Sequence, residues 1–280
     1  MNCFQLIKTV LDEAYGEVPG SDKEKDAAIK KEMDSLSDGY KTLLKKGCIN
    51  YSDPARRFAY LFTYTTCHAN IVFQRIDAST ALKKVFEKPE VTISCIGGGP
   101  GSDFLGILKY CGLRKKKPAL TCYLLDRDAA WGESWSDVGE KVASHLALRT
   151  HFNPFDVTDP ANWQIFKKHF QADIFTLIYF MSEVYALRNK AEAYFDALFS
   201  KMKAGSVLLF VDNNSAEFRD WFDGLVKKHK LTVLESDAGV MKMPWRGLGP
   251  EEKTDLEPYK TRLRRDPKLD ANVAWRVVRK

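Results

Sequence analysis

Several features that would assign this chain of 280 residues to a familiar class of protein are missing. No run of about 18 apolar residues occurs, so a membrane-spanning helix is not expected. The first residues have no apolar core of a signal peptide, and Asp12 and Glu13 follow soon after. The six cysteines contain no Cys-x-x-Cys pair and form no ligand-like grouping with the five histidines, so structural zinc is not expected. These absences predict an intracellular protein, cytoplasmic or nuclear, with reduced thiols and no membrane partner.

Two nucleotide-binding signatures are absent as well. The chain has no Gly-Lys-Ser or Gly-Lys-Thr tripeptide, so no P-loop lysine is available for the phosphates of ATP. The dinucleotide pattern Gly-x-Gly-x-x-Gly fails because Ser102 or Phe104 stands where its third glycine belongs, counted from Gly97 or Gly99. A nicotinamide oxidoreductase is therefore not expected either. The net charge of +6 is mild and permits an anionic partner without indicating one.

The most informative stretch that is present covers residues 91–101, where a β-branched apolar run ends on a cluster of glycines. The glycines of this turn are Gly97, Gly98, Gly99 and Gly101. Residues without a Cβ let a ligand approach the backbone closely. Ser102 and Asp103 then begin a predicted helix. A strand, a glycine turn and a helix in this order predict a nucleotide-type cofactor site at the carboxyl edge of a parallel sheet.

From residue 91 onward, predicted strands alternate with predicted helices. The strands are expected at 91–96, 120–125, 149–153, 173–180, 206–211, 231–236 and 273–278. This alternation predicts an α/β fold with a doubly wound, seven-stranded, mostly parallel sheet. We expect a domain at 89–280 in which an insertion at about 238–271, between the last two strands, overhangs the pocket. Residues 1–88 have helical apolar stripes and predict an amino-terminal cap that acts as a lid.

The spacing Gly97-x-Gly99-x-Gly101 after a predicted strand resembles motif I of class I, Rossmann-like, S-adenosylmethionine-dependent methyltransferases. The resemblance covers residues 91–280, about two-thirds of the chain. It implies S-adenosylmethionine as the cofactor and transfer of its methyl group to an acceptor. A glycine turn without lysine also suits this cofactor, which is a cation and carries no phosphate.

Further positions match the cofactor site of that family. Asp126 follows the second strand about 25 residues after the last glycine, where the resemblance implies a carboxylate that accepts from both ribose hydroxyls. Asp156 and Val157 follow the third strand, where it implies contacts to the adenine, with a helix N-cap as the alternative for Asp156. At the end of the fourth strand it implies contacts between Phe180 and Met181 and the methionine part of the cofactor.

One position departs from the family pattern. Many members have an acidic residue two positions before the first glycine, where it holds the amino group of the cofactor, and this chain has Cys95 there. Asp103 is the candidate that replaces it, and its alternative role is a first-turn acid favoured by the helix dipole.

The residues best placed to contact the methyl acceptor follow the fourth strand: Ser182, Glu183 and Tyr185. Methyl transfer from a sulfonium requires alignment and exclusion of water, whereas acid–base help is optional. Glu183 is therefore either a proton acceptor or an ordinary loop or helix-start carboxylate. Asp212-Asn213-Asn214 resembles the magnesium-binding pair of catechol-type O-methyltransferases, but the aspartate that those enzymes need after strand four is missing, so no metal is expected.

Two basic clusters bear on the nature of the acceptor. Arg114 to Lys117 precedes the second strand, on the edge opposite the predicted pocket, and is interpreted as a solvated turn. In the insertion, basic and aromatic residues alternate in a pattern that can bind RNA: Trp245, Arg246, Tyr259, Arg262, Arg264 and Arg265. We therefore expect RNA, a ribonucleoprotein or a protein as acceptor, slightly ahead of a small molecule. The alternative is a catalytically inactive methyltransferase-like scaffold or partner subunit, which Cys95 favours.

Overall fold

The computed structural model describes residues 3–46, 49–141, 147–243 and 256–280. Its α-helices are α1 (Cys3–Glu17), α2 (Asp22–Lys46), α3 (Pro54–Tyr60), α4 (Thr66–Ala78), α5 (Thr80–Val85), α6 (Ser102–Leu113), α7 (Trp131–Lys141), α8 (Pro160–Trp163), α9 (Phe180–Val184), α10 (Arg188–Lys201), α11 (Ala216–Lys228) and α12 (Glu257–Leu263). Its strands are β1 (Glu90–Ile96), β2 (Ala119–Asp126), β3 (Leu148–Pro154), β4 (Ile174–Ile178), β5 (Val207–Asn213), β6 (Thr232–Lys242) and β7 (Asp270–Arg279). A π-helical turn, Leu61–Thr65, joins α3 to α4, and 3₁₀ turns occupy Lys167–Gln171 and Tyr185–Leu187.

The seven strands form one sheet in the order β3-β2-β1-β4-β5-β7-β6. Strands β1 to β5 are parallel to one another. Strand β7 lies between β5 and β6 and is antiparallel to both. The predicted seven-stranded, mostly parallel α/β sheet is thereby confirmed. The insertion of β7 between two strands that precede it in the chain is not encoded in the apolar pattern of any single strand.

Helices cover both faces of the sheet. Alternate residues of a strand point to opposite faces, and β5 shows this clearly. Val207 and Leu209 join a hydrophobic cluster that includes α1, α3, α4 and α6, whereas Leu208 and Phe210 pack in a second cluster with α10 and α11. Because each face is buried against its own layer of helices, the fold is doubly wound.

Helix α7 begins at Trp131, whose buried ring contacts the Tyr51 ring at a centroid distance of 4.9 Å. Several strand boundaries differ from the sequence-based expectation. The strand expected to end at residue 236 continues as β6 to Lys242, which pairs with Asp270 of β7. Most side chains of β6 are exposed because it is an edge strand, so its length follows from pairing rather than from burial.

The amino-terminal region is helical, as predicted, and shares a hydrophobic core with the sheet. Helix α4 lies against α6 so closely that a Cβ at Gly106 would be 2.4 Å from the carbonyl oxygen of Ala69 and 2.8 Å from Cβ of Val72. Only glycine allows this approach. The predicted domain boundary between residues 88 and 89 stays a prediction.

We expect Gly106→Ala to destabilise the protein by about 2–3 kcal/mol, because the added methyl group pushes α4 away from α6 in a packed core. Gly112 on the same helix is exposed, with no atom near its missing Cβ, and is the matched control. Gly112→Ala is expected to stabilise by up to about 0.5 kcal/mol through helix propensity. Urea denaturation measures both effects, and equal stabilities for the two variants would contradict this packing.

The described part of the insertion is bound to the amino-terminal helices. The Tyr259 hydroxyl donates to Asp12 at 2.7 Å, and the guanidinium of Arg262 lies 2.9 Å from the carboxylate of Asp26. The Arg265 guanidinium likewise contacts Asp34 in α2. Trp245 and Arg246, which the sequence placed in an RNA-gripping cluster, lie outside the described residues. Arg262 and Arg265 of this cluster are therefore paired with carboxylates of the protein itself.

None of the helices in the described residues combines the length and the apolar character that crossing a bilayer requires.

Candidate functional site

A cleft opens at the carboxyl ends of β1, β2 and β4, and it encloses about 500 Å³ including the part open to solvent. It is lined by Ile49, Tyr51, Gly97, Asp126, Arg127, Asp128, Phe155, Asp156, Val157, Thr158, Phe180, Glu183, Val184 and Leu187. The sequence-predicted residues among these are Gly97, Asp126, Asp156, Val157, Phe180 and Glu183. They meet because the carboxyl ends of parallel strands share one edge of a sheet.

The glycine turn has the backbone conformation that requires glycine. Gly97, Gly99 and Gly101 have φ values of 68°, 48° and 87°, in the left-handed region. A Cβ at Gly97 would lie 2.1 Å from the Phe180 ring, and one at Gly101 would lie 2.4 Å from the Trp135 ring. The protein's own aromatic rings thus fill the space at these two positions, and among the turn glycines Gly97 is the one that lines the cleft.

Asp126 ends β2 and holds the turn in place. Its Oδ2 accepts a hydrogen bond of 2.9 Å from the Gly99 amide, and its Oδ1 accepts one of 3.0 Å from the Asp128 amide. Burial raises the pKa of Asp126 to about 6, although these backbone bonds favour the ionised form. Each carboxylate oxygen has the capacity to accept one further hydrogen bond, as a residue that binds two hydroxyl groups requires.

Asp156 and Val157 line the cleft beside Asp126. The amide and hydroxyl of Thr158 both donate to Asp156 Oδ1, at 2.8 and 2.7 Å, which closes a tight local turn. The alternative role considered for Asp156, a helix N-cap, belongs instead to Asp159, whose side chain accepts from the Ala161 amide at the start of α8.

Glu183 connects the cleft to the amino-terminal helices. The hydroxyl of Tyr51 donates to Glu183 Oε1 at 3.3 Å, and the hydroxyls of Tyr40 and Tyr51 lie 2.8 Å apart. The Tyr51 amide donates to Asp128 at 2.6 Å, which fixes this residue over the cleft. Burial, followed by the nearby charge of Asp126, raises the pKa of Glu183 to about 8. Sequence reasoning missed Tyr51, because no local pattern brings it to a residue so distant along the chain.

Besides Gly98, Gly99 and Gly101 of the turn, four predicted residues do not line the cleft. Asp103 is buried under the turn and accepts a hydrogen bond from the Thr176 hydroxyl, and burial raises its pKa to about 6. Met181 is fully buried in the second cluster, and Ser182 is buried with its amide bonded to Asp212. Tyr185 packs with its ring against Phe218 and Trp221. The roles predicted for Asp103, Met181, Ser182 and Tyr185 stay predictions, and these contacts give each of them a structural role.

Asp212, the acidic residue considered as a magnesium ligand, is fully buried. Its carboxylate accepts hydrogen bonds from the amides of Ser182 and Asn213, at 2.9 and 2.7 Å. In the described parts of the chain, no group of three His, Cys, Asp or Glu side chains is arranged to hold a metal ion.

The cleft carries an excess of negative charge. Four carboxylates line it, whereas one guanidinium and no lysine occur among the described lining residues. The acids are Asp126, Asp128, Asp156 and Glu183, and the single base is Arg127. A cationic ligand therefore complements the cleft better than a phosphate-bearing one.

No protein-family model matches the chain, and no curated protein matches it. Solved structures similar to it include a putative RNA methyltransferase from Pyrococcus horikoshii, with 14% identity, 87% of this chain and 98% of that one covered, and a TM-score of 0.45. A putative class I S-adenosylmethionine-dependent methyltransferase from Listeria monocytogenes has 12% identity, 99% and 88% coverage, and a TM-score of 0.44. The [4+2]-cyclase SpnF has 13% identity, 74% and 80% coverage, and a TM-score of 0.45.

Sequence identities this low do not establish the chemistry of the cleft. The strand order and the glycine turn of this chain identify its architecture directly. The chain has a Rossmann-like α/β sheet of the kind found in the class I methyltransferases that its glycine motif resembles.

Proposed function

We propose that this protein is an S-adenosylmethionine-dependent methyltransferase with its cofactor in the cleft. The observation that carries the proposal is the convergence of a left-handed glycine turn, Asp126, Asp156 and Glu183 on one acidic cleft, whose described lining includes no lysine. A cofactor with a cationic sulfonium and no phosphate matches that charge. When bound, S-adenosylmethionine supplies an activated methyl group at its sulfonium.

The lining residues divide the binding work among them. The two oxygens of Asp126 accept from the ribose hydroxyls, while Asp156 accepts from the adenine amino group and the Val157 amide contacts the ring. The turn at Gly97 and the Phe180 ring shape the end of the cleft beside Glu183. Tyr51 covers the cleft and excludes water, which strengthens every polar contact inside.

Glu183 is the residue of the cleft suited to accept a proton. Because burial raises its pKa to about 8, its carboxylate is ionised only in the upper part of the physiological range. The ionised carboxylate would hold the proton that the acceptor atom loses, and the bound cofactor would supply the methyl group. Transfer is therefore expected to accelerate as the pH rises through about 8.

Calorimetric titration with S-adenosylhomocysteine tests the cofactor assignment. We expect Asp156→Ala to weaken binding about tenfold, because a partly buried acceptor for the adenine is lost. Asp159→Ala is the matched control, since Asp159 caps α8 and does not line the cleft. We expect this control to retain the wild-type affinity within about twofold, at some loss of stability. Absence of binding by the wild-type protein would refute the proposed function.

The alternative is an inactive methyltransferase-like scaffold, and Cys95 was its support in the sequence. In the structure Cys95 is fully buried, with its sulfur 3.8 Å from that of Cys122, and does not line the cleft. Cys95, in place of the acidic residue of many family members, is therefore not part of the lining of the cleft. Transfer of tritium from labelled cofactor into cell extract, followed by nuclease or protease digestion, separates the two functions, because a scaffold binds cofactor and labels nothing.

A further inference from the structure

A second pocket lies beyond the hydrogen-bonded chain of Tyr40, Tyr51 and Glu183. Tyr51 and Glu183 line the cofactor cleft, whereas Tyr40 lines this second pocket, so the chain forms a wall that both cavities share. The second pocket encloses about 930 Å³ including the part open to solvent. No residue predicted from the sequence as an acceptor contact lines it.

Aromatic rings form much of the pocket: Tyr40, Tyr64, His68, Tyr179 and Phe218. The rings of His68 and Tyr179 stack at a centroid distance of 4.2 Å with an interplanar angle of 19°. Burial, followed by the charge of Lys268, lowers the pKa of His68 to about 3, so this ring is neutral. Such a lining suits a flat aromatic ligand that stacks on the rings.

The charge of the pocket is positive. Lys268 places its ammonium 5.8 Å from the ring centroid of Tyr64 and 5.6 Å from that of Tyr179. Among the described residues, no carboxylate lies within 4.0 Å of this ammonium. Lys41 also lines the pocket and is paired with Asp38 at 3.0 Å, in an exposed pair that exchanges readily with another anion. The described lining residues include two lysines and no acidic residue, so they favour an anion.

The pocket also has polar groups that can form hydrogen bonds with the edge of a planar ligand. Asn213 and Ser215, at the end of β5, line the pocket opposite the tyrosines of the amino-terminal helices. An amide both donates and accepts hydrogen bonds, as the edge of a nucleobase requires. Aromatic faces, an ammonium and an amide together match a base with its phosphate.

We propose that this pocket binds a nucleotide unit of the methyl acceptor, with the base against the aromatic rings and the phosphate beside Lys268. The proposal rests on the proposed function, because it places one nucleotide of the acceptor in the pocket next to the cofactor cleft. The same chemistry is presented by a free nucleoside monophosphate and by single-stranded RNA. Of these two sources we commit to single-stranded RNA, because Lys41 and Lys268 provide for more than one phosphate.

The test measures the binding of a short fluorescein-labelled single-stranded RNA by anisotropy, with and without S-adenosylhomocysteine. Lys268→Met removes the charge and keeps the aliphatic stem, and we expect it to weaken RNA binding about tenfold. Lys227→Met is the matched control, since Lys227 is exposed on α11 and does not line the pocket. It is expected to change RNA affinity less than about twofold. Neither variant is expected to change the affinity for S-adenosylhomocysteine, which also verifies that both fold.

Competitors separate the sources of the ligand and the rival chemistries. We expect uridine monophosphate to displace the RNA at far higher concentrations than unlabelled RNA does, and uridine without phosphate to displace it less well still. Displacement by uridine monophosphate as efficient as by RNA would assign the pocket to free nucleotides and overturn the RNA source. Poly-glutamate competing as well as RNA would reduce the pocket to a general anion site and overturn the proposal.

The failure of this inference is distinguishable from the failure of the proposed function. A protein that binds S-adenosylhomocysteine but no RNA, or whose RNA binding ignores Lys268→Met, overturns the nucleotide pocket and leaves the methyltransferase proposal intact. A protein that binds RNA through Lys268 but no S-adenosylhomocysteine overturns the methyltransferase proposal and the acceptor role of the pocket.

Discussion

Asp126→Ala is expected to weaken binding of S-adenosylhomocysteine by more than about 100-fold. The carboxylate of Asp126 faces the cleft and has one unused acceptor position on each oxygen. Two hydrogen bonds from ribose hydroxyls to a charged acceptor contribute about 1.5–3 kcal/mol each, and their loss gives this change. Isothermal titration calorimetry at pH 7.5 measures it directly.

Two further variants separate binding from folding. Asp126→Asn keeps one side-chain oxygen, which accepts from one of the two amides of Gly99 and Asp128, and we expect a loss of about tenfold or more. Asp237→Ala changes an exposed aspartate on β6, far from the cleft, and is expected to leave the affinity unchanged. Wild-type affinity in Asp126→Ala would show that the cofactor does not bind in this cleft.

The pH dependence of the same titration adds a second readout. Burial raises the pKa of Asp126 to about 6, and protonation below that value removes an acceptor for the ribose. The affinity of the wild-type protein is therefore expected to fall as the pH drops below 6 and to level off near that of Asp126→Asn. Asp126→Asn has no proton to gain at this position, so its weaker affinity should lack this dependence.

Glu183→Gln is expected to make the protein more stable at alkaline pH and to leave its stability unchanged near pH 5. The glutamine keeps the oxygen that accepts from Tyr51 but cannot ionise. Because the side chain of Glu183 is in part open to the cleft, we expect a gain of about 1–2 kcal/mol above pH 8, below the full value of the pKa shift.

The sign follows from the two protonation equilibria. The unfolded chain releases the Glu183 proton at the ordinary pKa of 4.5, whereas the folded chain releases it at about 8. Between these values the folded state binds more protons, so stability falls as the pH rises and levels off above 8. Urea unfolding at pH 5, 7 and 9 measures the difference between the two proteins.

Glu217→Gln is the matched control, since Glu217 is exposed and the Ser215 hydroxyl bonded to its side chain lowers its pKa. A lowered pKa acts only in acid, so this variant should follow the wild-type protein between pH 6 and 9. A Glu183→Gln variant whose stability runs parallel to the wild type over that range would show that Glu183 ionises normally and would remove it as the proton acceptor.

The sequence predicted the sheet and much of the cofactor cleft because the relevant signals are local. The glycines, Asp126, Asp156 and Glu183 lie at or shortly after the carboxyl ends of strands, and parallel strands bring such residues to one edge. The direction of a side chain was less predictable. Asp103 begins the helix after the turn as expected, but its carboxylate bonds to Thr176 of β4, a contact between segments far apart in the chain.

The second pocket and the contacts of the basic cluster could not be predicted from the sequence, because they join distant parts of the chain. Arg262 and Arg265 form ion pairs with the amino-terminal helices, whereas Lys268, a few residues later, reaches the aromatic pocket. No spacing within 256–280 distinguishes these three cations. Their surroundings are set by how α12 packs on α1 and α2.

By itself, the sequence determined the α/β sheet, the place of the glycine turn and the acids that follow the strands, because strand and turn propensities act over a few residues. The tertiary structure alone decided that Tyr51 closes the cofactor cleft and that Tyr40, Tyr64 and Lys268 face a second cavity across a shared wall. Tyr40 and Tyr64 come from helical segments whose apolar stripes specify that they pack, but not against which partner, and Tyr51 and Lys268 come from the connections between elements. That choice is made by the fit of whole surfaces, such as α4 against Gly106.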